Sequence, residues 1–392
     1  MPIVVECGDE LQLPPVPASA GLFADQRQAS TEHLAGVEIF KHKDYVYRLS
    51  TMKRFTDATQ ISILTKMRRS GGCKLTAHEW KPLRHTDISA APAPEQRERL
   101  RGTELWYQAA FAWSYVCMAQ WDRSVRSASV HQETLFMFSA RDYIMNVDQR
   151  DLTSVRDRLL QIPNMNTTGR LPAVLLLHIE MRVRITVSDE RLAAHAPVDT
   201  TGVVRHIELH PLDRARWLQQ TTETIFVLHH APTVLMQIDE DETDTGLGPG
   251  MVAVEAITCQ PFTVKLELED TRLLEVKAAR EQVPLTIATA STLYTLQCTT
   301  TTPGLIYHFR TPRRISVVMK WIATYMALSR VESLQQLRSI GLTTAIKDII
   351  NDGPPEGFLT RFLRVFGDKI ANTDAAMEAA MTELGWISEA EP

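Results

Sequence analysis

The residues with the clearest chemical capacity stand toward the two ends of the chain. Near the first, Gly8-Asp9-Glu10-Leu11-Gln12-Leu13-Pro14-Pro15-Val16 follows the β-type run Ile3-Val4-Val5. A strand would deliver Gly8 and Asp9 to its end, a short turn would project Gln12, and the prolines would stiffen the exit. A glutamine amide so placed can hydrogen-bond a terminal phosphate or a water and report nucleotide state to a neighbouring domain. The same residues also read as an ordinary strand exit with a proline-rich turn. Near the other end stands Tyr325-Met326-Ala327-Leu328-Ser329-Arg330-Val331-Glu332-Ser333-Leu334, with Leu337 one turn on. Arg330 is either a charge on a surface helix or a planar, permanently ionised donor for charge on a transferring phosphoryl group. Shortly before it, Arg310, Arg313, Arg314 and Lys320 run without an intervening acid among Tyr307, Phe309 and Trp321. That mixture suits a nucleic-acid backbone, and equally an exposed loop entering a helix.

Other constellations carry less. Asp239-Glu240-Asp241-Glu242-Thr243-Asp244 lacks the glycine and distant glutamate of a calcium loop and reads as a solvated turn. His229-His230 closes an apolar run and reads as a strand end, so no metal site is expected. No lysine follows a glycine anywhere, and Gly246-Leu247-Gly248-Pro249-Gly250 contains none, so a Gly-Lys-Ser/Thr phosphate loop is missing.

The bulk composition excludes several classes. With 392 residues, 44% apolar and 23% charged, the chain can bury a sizeable core over two or three domains. A net charge of -5 argues against a wholly basic coat protein but not against a local basic groove. The five cysteines are dispersed, with neither disulfide-framework nor zinc spacing. No apolar run is long enough to span a bilayer, and no secretory signal opens the chain. The expectation is a soluble intracellular protein that is neither membrane-bound nor secreted, with nucleus and mitochondrion both left open as its compartment.

The elements that must position these residues follow from pattern. A strand beginning two residues after Met1 suggests a chain that starts in mid-domain. Ile61, Leu64, Thr65 and Arg68 predict a helix that stops at Gly71-Gly72. A loop at Ala91-Pro92-Ala93-Pro94 leads into a new helix, and a mostly buried helix is expected over about Glu104 to Gln120. Thr134 to Phe138 predicts a buried strand. From Leu171 short β-rich runs succeed one another: Ala173–Leu177, Arg182–Val187, Gly202–Leu209, Thr224–Leu228, Thr233–Ile238, Met251–Ile257 and Phe262–Leu268. Their spacing suggests a small barrel or sandwich. A threonine-rich strand and then helices follow from near Glu281 to Ile350, and the tail beyond Ala371, with five acids and no Lys or Arg, predicts a short helix with a frayed end.

The two end segments closely resemble motifs III and VI of the PIF/RecD-like superfamily 1 DNA helicases, whose usual forms are Gly-Asp-x-x-Gln-Leu-Pro-Pro-Val and Tyr-Val-Ala-Leu-Ser-Arg-Val-x-Ser. Lys53-Arg54-Phe55 with the helix after it is similar to their motif IV region. Thr292-Leu293-Tyr294-Thr295-Leu296-Gln297-Cys298-Thr299-Thr300 is similar to motif V, usually Thr-x-His-Lys-Ser-Gln-Gly-x-Thr, but with the histidine, lysine, serine and glycine replaced. Losing a glycine where backbone approaches a ligand alters that segment, although Tyr294 could still stack on a base.

The resemblance implies an α/β fold: a RecA-like, P-loop-NTPase-type lobe with a parallel sheet, interrupted by a small SH3-like β-barrel insertion. It implies the end of a first lobe over 1–22, a second lobe over 23–168 and 279–350, the insertion over 169–278 and a helical acidic tail over 351–392. It further implies the carboxyl-terminal half of an ATP-dependent 5′-to-3′ DNA helicase, without the Walker A and Walker B parts. Gly8, Asp9 and Gln12 would then sense nucleotide, and Arg54 and Arg330 would meet the γ-phosphate. Tyr294, Gln297, Thr299, Thr300, Arg313 and Arg314 would meet single-stranded DNA. ATP and Mg²⁺ would belong to the complete enzyme with its first lobe, and would not bind tightly to this chain alone. The alternative is a non-catalytic single-stranded nucleic-acid-binding remnant of a helicase, for instance a transposon-borne one.

Overall fold

The computed structural model describes residues 53–69, 71–219, 224–239, 246–269, 271–297, 299–354 and 358–383, with Thr31, Ala35, Glu38 and Val46. Gly8, Asp9, Gln12 and the expected end of a first lobe over 1–22 lie outside the described residues. The chain forms two compact units, Met1–Gln96 with Leu293–Pro392, and Arg97–Thr292.

Among the described residues of the first unit, α1 spans Ala58–Met67. Asp57 caps it by accepting from the backbone N–H of Thr59 and Gln60, and Gln60, Ile63, Leu64 and Met67 make its buried face at helical spacing. In α2 (Ala77–His85) Thr76 and Glu79 form a reciprocal capping box. Further along the chain α3 spans Ala93–Leu100.

In the second unit β1 (Tyr107–Ala110) leads into α4 (Trp113–His131). Sequence periodicity assigns Glu104 to Gln120 to one helix; the structure instead makes Tyr107–Ala110 a strand. Its residues Gln108–Ala110 lie parallel to Ala290–Thr292, and a four-residue strand buried against a distant partner is too short to carry a period of its own. Next come β2 (Leu135–Ser139), β3 (Arg141–Ile144) and α5 (Leu152–Leu160). The β-rich runs form β4 (Val174–Leu177), β5 (Arg182–Ile185), β6 (Thr201–Glu208), β7 (Ile225–Leu228), β8 (Thr233–Ile238), β9 (Met251–Val254), β10 (Ile257–Thr258) and β11 (Phe262–Glu267). The helices α6 (Glu190–Ala193) and α7 (Pro211–Gln219) interrupt them. Finally β12 (Leu273–Gln282), β13 (Leu285–Ile287) and β14 (Ala290–Thr292) close the unit.

The sequence expects one inserted body over 169–278, and the strands of that range pair as follows. They are distributed over three sheets, ordered β4-β2-β7, β13-β5-β6-β8-β9, and β10-β12-β11 with β3 on β12, and each sheet takes a strand from outside that range. The compact units likewise change over at Gln96 and Leu293. Alternation assigns each residue a face but leaves the partner strand open. One core joins two of the sheets through Phe136, Leu175, Val183, Ile185, Val204, Phe226, Val234 and Val252. A second core lies under α5, where Val155 and Leu159 meet Leu266, Val276 and Ala278.

The first unit then resumes with β15 (Leu305–His308) and α8 (Val317–Leu328), of which Trp321 to Leu328 is buried throughout. The strand β16 (Leu337–Ile340) runs parallel to β15, the βαβ pairing expected of an α/β fold. Two helices follow, α9 (Thr344–Asp352) and α10 (Phe358–Glu383), the latter 26 residues long where the sequence suggests a short helix.

Candidate functional site

The site is the turn after α8, where Ser329 to Leu334 meets the residues that lead into α1. Four side chains or amides from the α1 segment are hydrogen-bonded to it. Arg54 Nη1 donates to the Ser329 carbonyl at 3.0 Å. The Thr56 backbone N–H donates to the Glu332 carbonyl at 3.0 Å. Asp57 caps α1 with Oδ1 and accepts the Leu334 N–H with Oδ2 at 3.2 Å. Gln60, 1% exposed, donates through Nε2 to the carbonyls of Leu328 and Val331 at 2.7 and 2.9 Å. The chain reversal at the end of α8 leaves carbonyls without helical partners, and this glutamine satisfies two of them.

Arg330 turns inward and is 3% exposed. Its Nη1 donates to the carbonyls of Leu296 and Thr299 at 3.4 and 3.1 Å, and its Nη2 to the Ser329 hydroxyl at 3.1 Å. The Arg330 carbonyl accepts from the backbone N–H and hydroxyl of Thr301, at 2.8 and 3.0 Å. Ser329 is therefore shared by both candidate arginines, its carbonyl taking Arg54 and its hydroxyl Arg330. Arg330 is also clamped to the segment carrying the candidate DNA contacts.

Within that segment Tyr294 lies in the 3-10 turn Leu293–Leu296 and is half-buried. Burial pushes its phenol pKa up. Gln297 is half-buried and donates its backbone N–H to the Tyr294 carbonyl at 3.1 Å. Thr299 is exposed and Thr300 half-exposed. Arg313 and Arg314 are exposed in the loop between β15 and α8, together with Arg310. The structure thus brings together Arg54, Arg330, Leu296 and Thr299. Within α8 Trp321 and Tyr325 stack with ring centroids 5.5 Å apart, and the Arg68 guanidinium lies 5.8 Å over the Tyr325 ring.

Gln60, Thr56, Asp57 and Thr301 are the participants that sequence reasoning missed. An aspartate three residues before a glutamine signals a helix start. That signal reports the cap, whereas the glutamine amide reaches out to carbonyls far along the chain. Among the described residues no group of three or more His, Cys, Asp or Glu could hold a metal ion, and no helix is long and apolar enough to cross a membrane.

No protein-family model matches the sequence, and no curated protein does. Among solved structures the chain is similar to the Pif1 helicase from Candida albicans, at 15% identity, 81% of this chain, 60% of that chain and a TM-score of 0.50. It is similar to the Bacteroides Pif1 helicase in complex with ADP-AlF3 and single-stranded DNA, at 17% identity, 92% and 66% coverage and a TM-score of 0.52. The Bacteroides enzyme bound to single-stranded DNA gives 16% identity, 92% and 66% coverage, and a TM-score of 0.52. The chain spans 60 to 66% of the length of these proteins. The fold is therefore α/β, with parallel strand pairs, and like that of Pif1 helicases.

Proposed function

We propose that this chain contributes the second RecA-like lobe to an ATP-dependent 5′-to-3′ DNA helicase of the PIF/RecD type, and that it engages single-stranded DNA. The observation that carries the reading is the shared Ser329, with Arg54 on its carbonyl and Arg330 on its hydroxyl. Two arginines from segments resembling motifs IV and VI thereby converge on one residue. Such a pair suits the charge of a transferring phosphoryl group. The fold likeness to Pif1 helicases supports the same reading. On it Gly8, Asp9 and Gln12 belong to the nucleotide sensor, and Tyr294, Gln297, Thr299, Thr300, Arg313 and Arg314 to the DNA path.

The described residues do not by themselves fit ATP and Mg²⁺. A triphosphate needs a cradle of backbone amides with a lysine, and no glycine in the chain precedes a lysine. The Arg330 guanidinium is already committed to Leu296, Thr299 and Ser329. ATP would be held with a first RecA-like lobe as partner, and no hydrolytic step is assigned to this chain. A labelled oligonucleotide titrated at low and moderate salt, beside a phosphate-release assay, tests the proposal. Salt-sensitive binding without hydrolysis above buffer is expected. No binding at low salt rejects the DNA assignment, and robust hydrolysis rejects the placement of the nucleotide site.

One observation favours a second reading, a non-catalytic nucleic-acid-binding remnant: Arg330 is turned inward onto a segment where Tyr294, Leu296 and Cys298 replace family residues. The genomic sequence upstream of the Met1 codon separates the two. An in-frame Gly-Lys-Ser/Thr supports the motor, and an early stop codon supports the remnant.

A further inference from the structure

Four arginines among the described residues are buried: Arg123, Arg184, Arg280 and Arg330. Three of them have acceptors. Arg123 donates to the Thr103 carbonyl at 2.6 Å and the Gln108 side chain at 3.2 Å. Arg280 is bound by both Asp142 oxygens at 2.8 Å and by the Leu159 carbonyl. Arg330 is held as described above. Arg184 is the exception: it is 7% exposed, forms no side-chain hydrogen bond with the described residues, and its Nε is fully buried without a hydrogen-bond partner. A buried guanidinium nitrogen with no hydrogen-bond acceptor is costly, and folded proteins rarely keep one without a reason.

Its surroundings sharpen the reason. Val183 and Ile185 enter the core, so alternation along β5 puts Arg184 on the opposite face. There it lies in register between Thr286 of β13 and Thr201 of β6. The Thr186 hydroxyl, two residues on, is also buried without a partner. The nearest countercharge is Asp199, 57% exposed, whose Oδ1 stands 3.7 Å from Arg184 Nε and 3.6 Å from Arg170 Nη2. Both separations exceed hydrogen-bond length. Two guanidiniums thus face one half-committed carboxylate, which leaves a net positive charge. Arg170 and Asp199 both hold left-handed backbone, with φ of 64° and 71°, a conformation that non-glycine residues adopt where surrounding structure imposes it. The Asp199 N–H is pinned to the Ile185 carbonyl at 2.9 Å, so the loop is fastened to β5 beside Arg184.

We propose that Arg184 and Arg170 form a phosphate-binding site in the second unit, with the Asp199 carboxylate as a built-in competitor that a phosphate group displaces. A phosphate supplies the oxygen acceptors that the planar guanidinium fork lacks, which a halide cannot do with the same geometry. The site does not rest on the helicase reading; only a nucleic-acid source for the phosphate does.

Melting temperature with inorganic phosphate against chloride at matched ionic strength tests it on three full-length chains. The parent is expected to melt higher in phosphate. Asp199→Asn removes the competitor while keeping a residue that tolerates left-handed backbone, and its apparent phosphate affinity should rise about tenfold, the equivalent of one lost charge contact. Arg184→Met replaces a buried charge with apolar volume, so it should fold at least as stably and lose the phosphate response. No response in the parent, or equal responses in all three chains, overturns the proposal. A labelled oligonucleotide then identifies the source. Tighter binding by D199N and weaker binding by R184M assign a phosphodiester; unchanged oligonucleotide binding with the phosphate response intact assigns a free phosphate. A parent that binds no oligonucleotide strikes the helicase reading and leaves this site standing.

Discussion

Arg54 and Arg330 meet on Ser329, the first through the carbonyl at 3.0 Å and the second through the hydroxyl at 3.1 Å. The relationship is mechanical before it is chemical, because the residue that fixes it is Gln60. Its amide is buried and bridges the carbonyls of Leu328 and Val331 on either side of that serine. Gln60→Leu keeps the volume and leaves both carbonyls unsatisfied, each at a cost of about 1–3 kcal/mol. A loss of about 2–4 kcal/mol in urea unfolding is expected. Arg54→Gln, on an exposed side chain, should stay within about 1 kcal/mol of the parent. Equal losses from the two changes would contradict the assigned hierarchy.

Glu79 contributes to the acid limb of stability. Burial alone would raise its carboxyl pKa, but hydrogen bonds from Lys66, Ser62 and Thr76 outweigh it and hold the pKa at about 2 against 4.5. The distances are 2.6 Å from Lys66, 2.6 Å from Ser62 and 2.7 Å from the Thr76 N–H. With the folded value depressed, the contribution is complete above the unfolded value and is lost as pH falls from about 4.5 to about 2. Glu79→Gln should cost on the order of 2 kcal/mol at neutral pH and flatten the acid limb of a melting-temperature profile. A mutant profile parallel to the parent's through that window would refute the linkage.

Much of the second unit was legible because strands with one buried face write their period into the sequence. Thr233–Ile238 alternates in burial from end to end, and Phe262–Glu267 pairs Phe262 with Ala278 through Glu267 with Leu273. What alternation cannot carry is the partner. Phe136 and Leu177 pair across the expected boundary at 168, and Leu285 with Ile185 across the one at 278. The inward turn of Arg330 was hidden for a similar reason: its acceptors are the backbone carbonyls of Leu296 and Thr299, and a carbonyl leaves no mark in a side-chain pattern. Arg184 carries no mark of its own in the sequence, since alternation puts it on one strand face with Arg182 and says nothing of what covers that face.

The Arg280–Asp142 pair joins β12 to β3 with both partners buried. Removing one partner strands a charge in the interior, at about 3–5 kcal/mol. Asp142→Ala should therefore lose about that much in denaturant unfolding, whereas the double change Asp142→Leu with Arg280→Met should recover most of it. A double mutant as weak as the single one would show that packing at this position, not the stranded charge, sets the loss.

Arg313 and Arg314 decide between a phosphate-contacting loop and a merely exposed one. Both are exposed between β15 and α8, so replacing them leaves the core untouched. If each neutralises one phosphate of a single strand, each contributes about 0.7 to the slope of log affinity against log salt. The double change Arg313→Gln with Arg314→Gln should then lower that slope by about 1.4, read from oligonucleotide titrations between about 50 and about 200 mM salt. The loss should be uniform across base sequences, because phosphate contacts carry no sequence information. Tyr294→Leu should act differently: a stacked base is lost with little change in salt slope, at about 1–3 kcal/mol if the ring is a platform. An unchanged slope in the arginine variant, with Tyr294→Leu still weakening binding, would move the DNA path off the β15–α8 loop and onto the segment that Arg330 clamps.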